Sequence, residues 1–179
     1  MIGQRGNTYS VLTCNHVVDH GDSTEYSVTT GDYQNHDVNV SSIEAINDLN
    51  LAIFSFRSEI FYPAIRPKRS SFPSVGFGVF LSGYAISLTE PQDSNFRFTP
   101  GSIVGLLDPP YPGGYGFVHT ASSAQGMGGS PVVDSSGDLI GIHCGVERTE
   151  SPSPLGLAIP AQALFEDTDV IERLGLDSS

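Results

Sequence analysis

The stretch Gly126-Met127-Gly128-Gly129-Ser130-Pro131 decides how the rest of the chain is read. It lies between a small polar run, residues 120–125, and an apolar run that begins Pro131-Val132-Val133. Three glycines in four residues keep side chains away, as a backbone requires where it turns sharply or approaches something closely. Successive N–H groups in such a turn can converge into a concavity suited to an anion.

Working outward from this loop, the chain is a series of short strand-like runs. Residues 9–13 (Tyr-Ser-Val-Leu-Thr) follow a Gly6-Asn7 turn, and an acidic loop begins at Gly21-Asp22. Val38 and Val40 alternate with Asn39 and Ser41, which predicts a half-buried strand. Residues 49–56 (Leu-Asn-Leu-Ala-Ile-Phe-Ser-Phe) are apolar at most positions and predict a central strand. The amide of Asn50 inside that run needs a partner. Pro63, Pro67 and Pro73 mark residues 58–74 as a linker between two halves. Beyond it, residues 77–83, 96–107, 115–120, 131–133 and 139–146 read as strands separated by Gly and Pro turns. Short strands at this spacing predict an all-β barrel architecture. Pro160 at a first helical position, with Leu164, Ile171 and Leu174 following, predicts one closing helix over residues 161–174.

At 179 residues the chain can hold one domain with a core or two small packed barrels. Lys+Arg of 8 against Asp+Glu of 20 gives a net charge of −12, which disfavours nucleic acid and anionic membranes as partners. The basic cluster Arg66-Pro67-Lys68-Arg69 reads as a solvated part of the linker. No apolar run reaches the ~20 residues of a spanning helix, and no signal peptide opens the sequence. Cys14 and Cys144 are too few for a disulfide framework and read as buried free thiols.

Four blocks together resemble the trypsin-like serine peptidases of bacterial type. Val11-Leu12-Thr13-Cys14-Asn15-His16-Val17-Val18 is similar to their Leu-Thr-Ala-Ala-His-Val-Val block, and Asn50-Leu51-Ala52-Ile53 to Asp-Leu-Ala-Val. Residues 126–133 with Gly137-Asp138-Leu139-Ile140-Gly141-Ile142-His143 resemble Gly-x-Ser-Gly-Gly-Pro-Val and the strand after it. Gly156-Leu157-Ala158-Ile159-Pro160 is similar to the family's last strand-to-helix junction. The resemblance implies two six-stranded antiparallel β-barrels with the site in the cleft between them. The expected organisation is an N-terminal barrel over residues 1–57, a linker over 58–74, a second barrel over 75–160, and a helix and tail over 161–179. The first barrel is expected to lack the strand that would precede Met1. The N-terminus fixes no compartment, and two thiols read as unpaired lean only slightly towards the bacterial cytoplasm.

The catalytic triad of that family joins a nucleophile, a base that takes its proton, and a carboxylate that fixes the base's tautomer. The resemblance places the base on His16, the carboxylate on Asn50 and the nucleophile on Gly128, with oxyanion-hole N–H groups on Gly126 and Gly128. His16 matches; Asn50 and Gly128 do not. An amide in place of the carboxylate lowers turnover by about 10⁴, and glycine offers no hydroxyl. Asp48 and Ser130 are the alternative carboxylate and nucleophile. Asp48 lies two strand positions, or nearly ~7 Å, from Asn50, and reads better as a loop carboxylate. Ser130 reads better as a small residue replacing the motif's second glycine. His20, His36 and His119 read as surface or structural. A zinc site from Cys14, His16, His143 and Cys144 is disfavoured, because adjacent strand residues point to opposite faces.

No cofactor or metal is expected. The leading expectation is an inactive protease-fold protein whose cleft holds a peptide strand, a protein segment or a C-terminal carboxylate. One alternative is an active endopeptidase using His16, Ser130 and Asp48. Another is a structural module of a larger polypeptide, suggested by the abrupt start and the acidic tail over residues 166–177. Natural decay explains Gly128 and Asn50 better than an engineered knock-out, for which alanine is the usual substitute.

Overall fold

The computed structural model describes residues 2–19, 25–46, 48–65, 67, 69, 73–87, 94–147 and 154–176. The first half contains β1 (Gly3–Arg5), β2 (Thr8–Cys14), α1 (Asn15–Val18), β3 (Ser27–Thr29), β4 (Asn35–Asp37), β5 (Glu44–Ala45) and β6 (Leu51–Arg57). The second half contains β7 (Gly78–Ile86), β8 (Ser94–Tyr111), β9 (Tyr115–His119), β10 (Ser130–Val133), β11 (Leu139–Glu147) and β12 (Leu155–Pro160), followed by α2 (Thr168–Leu174).

The six strands of the second half close into a barrel in the order β10-β11-β12-β9-β8-β7, with β10 pairing back onto β7 through Val132 and Val133. Strand alternation fills its interior with Val79, Leu81, Ile103, Phe117, Val132, Ile140 and Ala158. Among the described residues the first half does not close into a barrel. Its described strands form a four-stranded sheet, β1-β2-β6-β5, and a separate β3–β4 hairpin. The two are joined loosely, for example by the Asn39 N–H donating to the Ser55 carbonyl at 3.2 Å.

β6 explains its own near-continuous apolar sequence. It is flanked by β2 and β5, and both its faces are covered. Leu51 and Ile53 enter a core shared with Ile142, Ile159 and Leu164 from the second half, while Ala52 and Phe54 pack with Val18 and Val38 on the other face. The central strand expected over residues 49–56 is thus present, shifted to Leu51–Arg57.

Three expectations need correction. Val38 and Val40 are not in a strand: the strand is Asn35–Asp37, and Val40 opens a short 3-10 turn, Val40–Ser42. The alternation there reflects Val38 turning into the core while Asn39 and Ser42 close the turn through hydrogen bonds. The single closing helix is two pieces, a 3-10 turn over Ala161–Phe165 and α2. Asp167 interrupts them by accepting hydrogen bonds from the Asp169 and Val170 N–H groups as the N-cap of α2. Leu164, Val170 and Leu174 are buried, and Arg173 pairs with Glu44, so this end packs across both halves.

The third correction concerns the cysteines. Cys14 and Cys144 are joined by a disulfide with Cα atoms 5.6 Å apart. The resemblance brings the strand of His143-Cys144 behind His16, and so near Cys14, but the sequence reads both thiols as free; the docking of the two halves joins them. The argument for a cytoplasmic location from unpaired thiols falls with it. His20, the Gly21-Asp22 turn, and Arg66 and Lys68 of the basic cluster lie outside the described residues. No described helix is long and apolar enough to cross a membrane.

Candidate active-site cleft

The disulfide stands at the centre of the seam between the halves, and the glycine loop is clamped beside it. The Gly129 N–H donates to the His143 carbonyl at 2.9 Å, which holds the loop to β11. Gly129, with φ +86°, sits so close to Thr13 of β2 that any side chain there would overlap the Thr13 hydroxyl. Thr13 on one side and His143 on the other therefore fix the loop's position.

His16 lies in the single turn of α1, directly after Cys14. That turn has no side-chain N-cap of its own. Asn50 supplies the cap from β6's entry: its backbone carbonyl accepts from the Asn15 N–H at 3.1 Å, and its Oδ1 accepts from the His16 N–H at 3.2 Å. Asn50 is itself held by the second half. Its N–H donates to the Gly113 carbonyl at 2.9 Å, and its Nδ2 donates to the Tyr115 hydroxyl at 2.8 Å. Tyr115 in turn donates to the Cys144 carbonyl at 3.3 Å.

These partners fix the orientation of the Asn50 amide. With Oδ1 taken by a backbone N–H, Nδ2 faces the His16 Nδ1 at 3.0 Å. Oδ1 is also within 3.3 Å of that nitrogen, but a flipped amide would set its NH₂ against the His16 backbone N–H. With that orientation Asn50 donates to His16 Nδ1, which assigns the proton of the neutral imidazole to Nε2.

Gly128 faces that Nε2. A Cβ built on Gly128 would lie 3.5 Å from His16 Nε2, 3.5 Å from Val17 Cγ2 and 4.0 Å from Cys14 Sγ. These are ordinary contacts, and Gly128 is not in the left-handed region that disfavours side chains. The three positions assigned from resemblance, His16, Asn50 and Gly128, are thus brought together across the seam.

Within the loop, the N–H groups of Met127, Gly129 and Ser130 donate to Ala124, His143 and Met127 carbonyls. Among the described residues those of Gly126 and Gly128 meet no protein acceptor. Gly126 adopts φ +93° and is exposed.

The alternative residues are elsewhere. Ser130 is 7% exposed, and its Oγ occupies the space beside Gly83, where a Cβ would overlap it. Asp48 is exposed, at φ 60°, in the turn before β6. The disfavoured metal set is dispersed: Cys14 and Cys144 are bonded to each other, and His143 contacts His119. Among the described residues no cluster of three or more His, Cys, Asp or Glu side chains suits a metal.

Two features of the neighbourhood were not anticipated. Tyr115 was read only as a strand residue, although an aromatic hydroxyl next to the Gly113-Gly114 turn was a legible hint. The other is a buried pair, His119 Nε2 and His143 Nδ1 at 3.2 Å, with no motif to announce it. His119 is structural, as expected, but fully buried. Burial lowers both histidines to about 4, the charge of His119 adding to the effect on His143.

This arrangement, a closed β-barrel docked on a partial one with a histidine and a glycine loop at the seam, defines a protein of chymotrypsin-like fold. The trypsin-like peptidase domain family matches residues 1–142, and the chain belongs to that family. A serine endoprotease from Yersinia pestis superimposes with a TM-score of 0.71 at 22% identity, covering 99% of this chain and 57% of its own. The protease domain of MamO from Magnetospirillum magneticum, in its apo form, gives 0.70 at 18% identity, covering 92% of this chain and 84% of its own. The chain therefore spans little more than half the length of the Yersinia protein. Curated proteins give no match.

Proposed function

We propose that this chain does not hydrolyse peptide bonds and acts by binding a peptide or protein segment in the cleft between its halves. The observation that carries this reading is the surroundings of His16 Nε2. Where a nucleophile's side chain would begin, 3.5 Å away, Gly128 has none. Among the described residues no hydroxyl or thiol replaces it: Cys14 is held in its disulfide, and Ser130 is turned into the second barrel. Asn50 adds a second obstacle, because an imidazole protonated on Nε2 cannot take a proton there.

An active endopeptidase using Ser130 and Asp48 would need both residues to move. Ser130 would have to leave a buried site while the Gly129–His143 bond anchoring the loop broke. A purely structural module of a larger polypeptide would have no use for unpartnered N–H groups at exposed Gly126 and half-buried Gly128. The disulfide supports residence in an oxidising compartment.

A fluorophosphonate probe tests the reading, with the labelled residue located by mass spectrometry. The native chain is expected to take no label. Gly128→Ser should label slowly, and Gly128→Ser with Asn50→Asp at least a hundredfold faster, since the second change restores an accepting Nε2. Native label on Ser130 would overturn the proposal.

A further inference from the structure

We infer that the cleft is a receptor for the free C-terminal carboxylate of a peptide, bound by the N–H groups of Gly126 and Gly128 and the Nε2–H of His16. This rests on the peptide-binding reading above and specifies its ligand.

The inference follows from the two departures acting together. In a working triad the imidazole Nε2 is an acceptor facing a hydroxyl. Here Asn50 Nδ2 donates to Nδ1, which turns Nε2 into a donor. The facing hydroxyl is gone, and the space it would fill is bounded by atoms no nearer than 3.5 Å to a Cβ. The adjoining loop contributes two further donors without protein acceptors, the Gly126 and Gly128 N–H groups. Among the described residues three donors here, the two loop N–H groups and the His16 Nε2–H, thus have no protein acceptor.

Three unpartnered donors side by side favour a ligand that brings several acceptors. A carboxylate has two oxygens and about four lone-pair sites, and its hydrogen bonds are charge-assisted. One oxygen matches the loop N–H groups, and the other matches His16 in the space vacated at Gly128. A mid-chain peptide or amidated terminus offers one carbonyl oxygen and brings an N–H group. That N–H would confront the Nε2–H and leave it unpaired. Peptides ending in a free carboxylate are the chemical class that meets all three donors.

The test uses immobilised full-length chain and two pools of N-acetylated random hexapeptides, one with free C-terminal acids and the other with amides. Retained peptides are quantified by mass spectrometry. Acids are expected to be retained at least tenfold over the matching amides. Gly128→Ser, which fills the vacant space, and Asn50→Asp, which makes Nε2 an acceptor, should each reduce that preference at least tenfold; circular dichroism checks that both variants fold. Equal retention of acids and amides would overturn the carboxylate inference and leave the peptide-binding reading standing. Retention of neither pool would count against both. Long-range ¹H–¹⁵N NMR supplies an independent check: His16 should carry its proton on Nε2 in the native chain and on Nδ1 in Asn50→Asp. A native Nδ1–H tautomer would overturn the inference even if acids bound.

Discussion

Gly126 and Gly128 stand two residues apart in one turn and differ in what a side chain would cost. At Gly126, with φ +93°, a Cβ would meet Ile86 Cγ1 at 2.7 Å and the Tyr84 carbonyl oxygen at 3.1 Å. At Gly128 nothing lies closer than 3.5 Å, and the backbone is not left-handed. Gly126→Ala should therefore cost about 1–3 kcal/mol in a urea titration, whereas Gly128→Ser should stay within about 1 kcal/mol of the native chain. Equal losses would mean that Gly128 is there for the fold rather than for the site. Glycine at 128 was legible in the sequence as a missing hydroxyl. Its freedom to accept one was not, since that depends on Val17, His16 and Cys14 from the other half.

Among elements, β9 and β11 carry a titrating pair through His119 and His143. One ring nitrogen donates to the other across 3.2 Å, and a second proton would set N–H against N–H in a buried site. Both folded values, about 4, lie below the ordinary 6.5 of an unfolded histidine. The unfolded chain therefore takes up protons first as pH falls. The pair's contribution is full above pH 6.5 and is lost as pH drops from 6.5 towards 4, by on the order of 3 kcal/mol per histidine. Denaturant midpoints at pH 7, 5.5 and 4.5 should fall accordingly, and His119→Gln should flatten the slope. A native profile as flat as the variant's would contradict the assignment. Element type was readable where one physical cause dominated, as in β6, whose two covered faces demand an almost unbroken apolar run. It was misread at Val38 and Val40, and at Asp167, where a few hydrogen bonds outweighed the hydrophobic pattern.

Across the whole molecule, the Cys14–Cys144 bond ties the two halves together at the site. It spans a sequence separation of 130 residues, so it removes a long loop's freedom from the unfolded chain. Replacing both cysteines by alanine should cost about 3–5 kcal/mol in a denaturant titration. The glycine loop should also loosen, because its anchors on Thr13 and His143 neighbour the two cysteines; faster amide exchange at Gly129 would report it. A loss below about 1 kcal/mol would show that the halves are held by their shared apolar core alone.

The sequence's motif blocks carried the resemblance that implied the family, a six-stranded second barrel and the triad positions His16, Asn50 and Gly128. Those blocks are legible because their members are neighbours in the chain, and strand spacing with turn glycines gave the all-β architecture. Tertiary structure decided the disulfide, the Tyr115 contact, the histidine pair and the proton on His16 Nε2. The disulfide, the Tyr115 contact and the His16 proton arise where the first half meets β9 and β11, and the histidine pair arises where β9 and β11 flank β12. All depend on distances between residues far apart in sequence. The direction of one amide, set by a backbone N–H and a tyrosine from opposite halves, is what turns His16 Nε2 into a donor.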